Sequence, residues 1–197
     1  MGRWEPDAQG RLLRAALDLF SERGYEATTT AQIAERAGLT KTTLFRLFTD
    51  KREIVFQGQT ALLALVQQGV NEAPDDASAV AATISGLRVL SSTHGPEQRR
   101  IGRILDPILA TNDELNERAI HKRFAITDAL ETALVDRHID SQQAGVLADM
   151  GVRAYYAGYA DWVASDDTLP LNTYVQRQWH QLREASARLA EDDAPTV

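Results

Sequence analysis

The chain has 197 residues, 44% of them hydrophobic, no cysteine and a net charge of −7. That length supports one large or two small hydrophobic cores, and the missing cysteines exclude a disulfide framework and a thiolate metal site. The opening MGRWEPDAQGR lacks the apolar stretch of a signal peptide, and no apolar run approaches the roughly 20 residues of a membrane span. A soluble, cytoplasmic protein with no membrane partner is expected.

Nearly every segment repeats its apolar residues at helical spacing, and no strand alternation stands out. Residues 8–23 place Leu12, Leu13, Ala16, Leu19 and Phe20 on one face and end before Gly24, a suitable helix stop. Thr29 with Gln32 three residues on forms a capping box for a second helix, which carries Ile33, Ala34 and Ala37 and stops at Gly38. Thr40 opens a third helix to about Phe48. Asp50 with Glu53 opens a fourth, expected to run unbroken to about Val70.

Residues 71–78, NEAPDDAS, read as a linker. Helices are expected over 79–90, from Pro96 through Ile108, over 113–138, over 141–165 and over 170–191. Pro107 should kink or split its helix, because it removes a backbone donor and crowds the preceding turn. The tail EDDAPTV is expected to be disordered. The fold class is therefore all-α, with about nine helices. An N-terminal three-helix domain takes residues 1–52, its linking helix reaching about residue 70, and a larger helical domain takes 53–197.

Charge is unevenly distributed. Residues 1–56 hold nine Lys and Arg against eight Asp and Glu, a net +1, so the second part carries the acid. Between Arg36 and Arg52 five cations face a single acid, Asp50. The third helix displays Thr40, Lys41, Thr42, Thr43 and Arg46, with Leu44, Leu47 and Phe48 on its apolar side. Hydroxyls and cations donate to phosphate oxygens and base edges, and two short helices joined by a tight glycine turn are the motif that carries them to a major groove. Thr29 and Thr40 are candidates both for capping and for phosphate contact, with Thr30 beside Thr29. Phe45 packs either on the core or on DNA. Lys51 places a cation at a helix start, where it and the backbone amides would hold a phosphate. Arg3 and Arg11 are read as solvated, with phosphate contact from the N-terminus as the alternative.

The stretch from Leu12 to Phe56, LLRAALDLFSERGYEATTTAQIAERAGLTKTTLFRLFTDKREIVF, resembles the DNA-binding domain of TetR-family transcriptional regulators. The matching landmarks are the LLxAAxxLF helix, the Gly24-Tyr25 corner, the Thr-x-x-x-Ile-Ala start, the Ala-Gly-Leu-Thr turn and the Asp-Lys start of the fourth helix. The resemblance implies a homodimer that binds a near-palindromic double-stranded operator, most often as a repressor, and releases it to a small-molecule effector bound in the helical domain. Where similar proteins carry a phosphate-touching Tyr or His this chain has Leu47, and Phe45 replaces a frequent Tyr.

In the second domain Tyr155, Tyr159 and Trp162 share a helix face, beside the small residues Gly151, Ala154, Ala157 and Gly158. With Trp179, Leu182 and Leu189 of the last helix they are candidates for a dimer interface, the alternative being an intrachain core. Candidates for the effector pocket are Arg103, His121, Phe124, Tyr155 and Tyr156. His94, His121, His138 and His180 are too scattered for a metal site, and no phosphate loop or nucleophile elbow is present. Neither a cofactor nor enzyme activity is expected. The competing reading is a helical small-molecule-binding or assembly protein that has lost operator binding.

Overall fold

A computed structural model describes residues 7–192, and every regular element among them is an α-helix. The order is α1 Ala8–Arg23, α2 Thr30–Arg36, α3 Lys41–Leu47, α4 Lys51–Val55, α5 Gln59–Asn71, α6 Ala79–Ser92, α7 Pro96–Thr111, α8 Asp113–Asp136, α9 Ser141–Ala164 and α10 Leu171–Asp192. The chain forms two compact units. The first is Met1–Gln59 with Ile101–Glu117, and the second is Thr60–Arg100 with Arg118–Val197. The division expected after residue 52 thus falls at Gln59, and the first unit also takes a segment from the middle of the chain.

In the first unit α1 contributes Leu12, Ala16, Leu19 and Phe20 to a core shared with Ile33 and Ala34 of α2, Leu44 of α3 and Ile54 of α4. Each short helix is closed by its own side-chain cap. The Thr29 hydroxyl accepts from the Gln32 amide while the Gln32 side chain accepts from the Thr29 amide, completing the capping box. Thr40 caps α3 and Asp50 caps α4. Seven-residue helices are too short to persist alone, so caps and core packing must hold them. Between α2 and α3, Gly38 takes φ +67°; its amide donates to Glu35 and the Leu39 amide to Ala34, which pairs the last carbonyls of α2 through a left-handed residue that suits glycine.

The fourth helix differs from expectation. It is two helices, interrupted between Val55 and Gln59 with Gly58 at φ +82°. Ile54 and Phe56 are both buried. Two residues apart on a regular helix they would face opposite ways, and unwinding after Val55 allows both to be covered.

The second unit is built around α9 and α10. Val66 and Val70 of α5, Leu87 and Leu90 of α6, Ile126, Leu130 and Leu134 of α8, Val152 and Tyr155 of α9, and Leu171 and Val175 of α10 form one core. The 71–78 linker joins α5 to α6 as expected, and the Arg137 guanidinium donates to the Ala73 carbonyl at 3.0 Å, satisfying an acceptor just past the end of α5. The expected split at Pro107 does not occur: α7 runs through it. Pro107 is exposed, so water can reach the carbonyl that its missing N–H leaves without a donor. Glu191 and Asp192, read as part of a disordered tail, end α10, whereas Asp193–Val197 lie outside the described residues, as does Arg3. Among the described residues no helix is long and apolar enough to cross a membrane.

Candidate functional site

The first unit sorts its cations into two groups. Arg14 pairs with Asp7, Arg36 with Glu22 at 2.8 Å, and Arg52 with Asp50 and Glu114. Arg11, a candidate for phosphate contact, donates instead to the Ala37 carbonyl at the end of α2. Lys41 and Arg46 have no carboxylate partner among the described residues; both are exposed, and Lys41 lies 5.6 Å from the centre of the Phe45 ring. Pairing lowers the cost of a fixed cation, so Lys41 and Arg46 on α3 are free to meet an external anion.

The exposed residues of α3 are Lys41, Thr42, Phe45 and Arg46. Their spacing places them on one side of the helix, with Leu44 buried opposite and Leu47 half-buried. Phe45 is 46% exposed, so packing in the core of its own chain is not its main role. Thr40 and Thr43 are occupied with each other: their hydroxyls lie 2.9 Å apart, and Thr40 also accepts the Thr43 amide at 3.1 Å. Thr29 is similarly committed to Gln32, while Thr30 beside it is half-buried.

Lys51 departs from expectation. The amides of Arg52 and Glu53 are already taken by the Asp50 carboxylate, at 2.8 and 3.0 Å, so they are not open to a phosphate. The Lys51 ammonium donates to the carbonyls of Tyr25 at 2.8 Å and Thr28 at 3.3 Å and sits over the Tyr25 ring. Burial pulls its pKa down, and the nearby Glu26 charge partly restores it. Lys51 therefore clamps the corner between α1 and α2 with two of its three N–H donors.

The effector candidates do not converge. Arg103 and His121 are exposed, Arg103 in the first unit and His121 in the second. Phe124 is 72% exposed and Tyr156 half-buried, both lining an open groove of about 620 Å³ between α8 and α9 with Ile120, Arg123, Asp149 and Arg153. The Arg123 guanidinium stacks 4.1 Å from the centre of the Tyr156 ring, and burial raises the Tyr156 pKa to about 12. Tyr155 is buried on another face. Its hydroxyl lies 3.1 Å from His94 Nε2, and the His94 ring meets Tyr155, Tyr159 and Trp162 edge-on at 5.9–6.2 Å.

His94, Arg99 and Lys122 take no part in the sequence reading of this region. Arg99 stacks 4.6 Å from the Trp162 ring and donates to the carbonyls of Ser165, Asp167 and Leu169. His94 and Tyr155 are 61 residues apart, so no local spacing could have joined them.

The dimer candidates need correction. Trp162 and Trp179 are 2% and 1% exposed, inside the core of their own unit, and the Trp162 indole donates to the Leu169 carbonyl at 3.1 Å. Neither ring is available to another chain, because α9 and α10 pack on each other. Tyr159 and Leu182 are partly buried against the same core, and Leu189, 68% exposed, faces outward. The small residues do allow close approach, but of a neighbour in the same chain: a Cβ on Gly158 would stand 2.6 Å from the Val175 amide nitrogen of α10.

Comparison with known proteins agrees with this architecture. Residues 12–57 match the family model for bacterial regulatory proteins of the tetR family. Over 45 residues the chain is 47% identical to YvkB of Bacillus subtilis (strain 168), an uncharacterized HTH-type transcriptional regulator, covering 23% of this chain and 24% of that protein. Matches to curated relatives span 24% to 41% of their length. Among solved structures, a putative transcriptional regulator from Pseudomonas aeruginosa PAO1 superposes with a TM-score of 0.63 at 15% identity, covering 94% of each chain. FadR of Thermus thermophilus, a TetR-family repressor in complex with lauroyl-CoA, superposes at 0.53 with 19% identity, covering 89% of this chain and 93% of that one. At these identities the likeness is one of fold. Residues 12–57 thus carry the sequence pattern of the tetR family's N-terminal domain, and the fold is shared with solved transcriptional regulators along nearly the whole chain.

Proposed function

We propose that the protein is a DNA-binding transcriptional regulator, a homodimer that represses from a near-palindromic operator and responds to a small-molecule effector. The observation that carries the DNA reading is the exposed face of α3, where Lys41, Thr42, Phe45 and Arg46 stand together and neither cation is neutralised by a carboxylate. Lys41 and Arg46 supply phosphate or guanine contacts, Thr42 a short-range hydrogen bond to a base edge, and Phe45 an apolar surface for a thymine methyl. Thr43, Thr40 and Thr29 position that face as caps, and Thr30 is the free hydroxyl at the start of α2. Leu47, half-buried, donates nothing, so binding leans on the α3 cations.

A two-fold arrangement follows from the size of the motif, since one seven-residue helix reads a few base pairs and two copies give a usable site. Effector control requires a ligand that binds more tightly to the conformation DNA does not accept. The complex of FadR with lauroyl-CoA supports the idea that a second domain of this fold can hold an effector.

Selection of bound genomic fragments by the purified protein, followed by mobility shifts across a salt series, tests the proposal. An enriched inverted repeat whose affinity falls steeply with salt is expected. Salt-independent or absent binding would instead favour a helical small-molecule-binding or assembly protein.

A further inference from the structure

We propose that the exposed face of α8 and α9 is where a second copy of this chain docks, the two α9 helices crossing antiparallel about a two-fold axis level with residue 151. This rests on the reading of the protein as a homodimer and names its contact surface, which is not the pair of α9 and α10 that Trp162 and Trp179 suggest in the sequence.

Large apolar side chains are left in water on this face. Among the described residues they are Ile120, Phe124 and Val135 of α8 and Val146 of α9, with Ile120 59% and Val146 66% exposed. On α10 Leu189 is the one comparable group. Ile120 and Phe124 line the open groove between α8 and α9, and Asp149, Arg153 and Tyr156 stand on its other wall. Exposed apolar groups gathered on one face and rimmed by polar ones mark a contact surface.

The occupant follows from the symmetry of α9. Gln142, Val146, Asp149, Arg153 and Ala160 are exposed and Tyr156 is half-buried, at alternating intervals of four and three residues that keep them on one stripe. The stripe is balanced about its middle. Asp149 and Arg153 lie two residues either side of position 151, Val146 and Tyr156 five, Gln142 and Ala160 nine. In a two-fold contact residue i meets residue j of the copy, and j meets i. An antiparallel crossing at position 151 therefore sets Asp149 against Arg153 of the second copy, twice over, and Val146 against Tyr156 of the second copy beside Phe124. Neither the Asp149 nor the Arg153 side chain makes an ion pair or hydrogen bond within its own chain among the described residues, so both charges are free for this exchange. Arg123, the other cation of the groove, stacks 4.1 Å from the centre of the Tyr156 ring and extends the apolar rim with its methylenes. Opposed charges across such a contact fix its register, and a like-charge alternative is penalised. An unrelated protein would not require a stripe balanced about one point, and a small molecule in the groove would leave Val146 in water.

The test is sedimentation of the full-length protein over a concentration series, with circular dichroism to confirm that each variant is folded. The wild type sediments as a dimer. Asp149→Arg and Arg153→Asp each set like charges against one another near the axis and raise the dissociation constant by about tenfold or more. The double variant, Asp149→Arg with Arg153→Asp, restores the opposed pairs and returns the constant to the wild-type value, a recovery that two merely structural side chains would not show. Leu189→Ser, on α10, leaves the constant unchanged. The proposal is overturned by a monomeric wild type, by a dimer that either single reversal leaves intact, by a double variant that stays dissociated, or by a Leu189→Ser variant that dissociates as the reversals do. Should a charge reversal fail to fold, Val146→Glu, exposed in the monomer and covered in the dimer, takes its place with the same expected dissociation. A dimer that survives both reversals leaves the homodimeric regulator standing and removes this surface alone. A dimer that the reversals dissolve, but that selects no genomic fragment, keeps the surface and removes the DNA reading.

Discussion

The Lys51 ammonium stands 3.9 Å from the centre of the Tyr25 ring and donates to the carbonyl of the same residue, so one side chain closes the corner that leads into the helix-turn-helix. A partly desolvated cation over an aromatic face, hydrogen-bonded to carbonyls as well, contributes about 1–3 kcal/mol. Lys51→Ala is expected to lower the stability of the first unit by that amount in chemical denaturation. Its remaining N–H is the donor available to a phosphate, so the slope of log K against log salt should fall by about 0.9. An unchanged slope with reduced stability would confine Lys51 to the corner.

The α3 face separates affinity from specificity. Arg46→Ala and Lys41→Ala are each expected to weaken operator binding, and the salt slope falls by about 0.9 for whichever of these cations neutralises a phosphate. Thr42→Ala should leave the slope alone and change the preferred base at one position of each half-site, by about 1–3 kcal/mol. Binding to randomised sites by the three variants checks this. Equal losses on all sequences for Thr42→Ala would remove it from the base-reading set.

The helix-turn-helix was legible because its determinants are local. Thr29 and Gln32 are three residues apart, Gly38 follows α2 directly, and Asp50 precedes α4; each acts on amides within its own turn. The break at Gly58 was hidden because a single glycine inside a helical pattern does not by itself mark a stop, and only the burial of both Ile54 and Phe56 reveals the unwinding. The backbone contacts of Lys51 and Arg11 were hidden for a related reason. Sequence showed their charge but not the carbonyls of Tyr25, Thr28 and Ala37 that they reach across 23 to 26 residues. Trp162 and Trp179 lie on helix faces that suit an interface between chains as well as one within a chain, and periodicity cannot distinguish the two.

The close approach of α9 to α10 gives a stringent test of the second unit. A methyl group at residue 158 would lie 2.6 Å from the Val175 nitrogen and 2.8 Å from the Tyr174 carbonyl carbon, both backbone atoms that cannot rotate away. Gly158→Ala is expected to cost about 3 kcal/mol or more, despite the higher helix propensity of alanine. A Tm equal to or above wild type would mean that the two helices separate more readily than their packing implies.

His94 makes the second unit sensitive to acid. Burial first, and the Lys122 charge second, push its pKa down to about 4 from 6.5, while Arg99, Tyr155 and Tyr159 provide no compensating negative charge. With the folded value depressed, the unfolded chain takes up the proton first as pH falls. The stability is present above about pH 6.5 and is lost between there and pH 4, by at most about 3 kcal/mol, the partial exposure of the ring reducing it. His94→Gln keeps an acceptor for the Tyr155 hydroxyl and cannot titrate. Its stability should fall less steeply than that of the wild type across this window. In Lys122→Met the His94 resonance should titrate at higher pH, because the repelling charge is gone. Superimposable stability curves for wild type and His94→Gln between pH 6.5 and 4 would show that the imidazole is not held neutral by its surroundings.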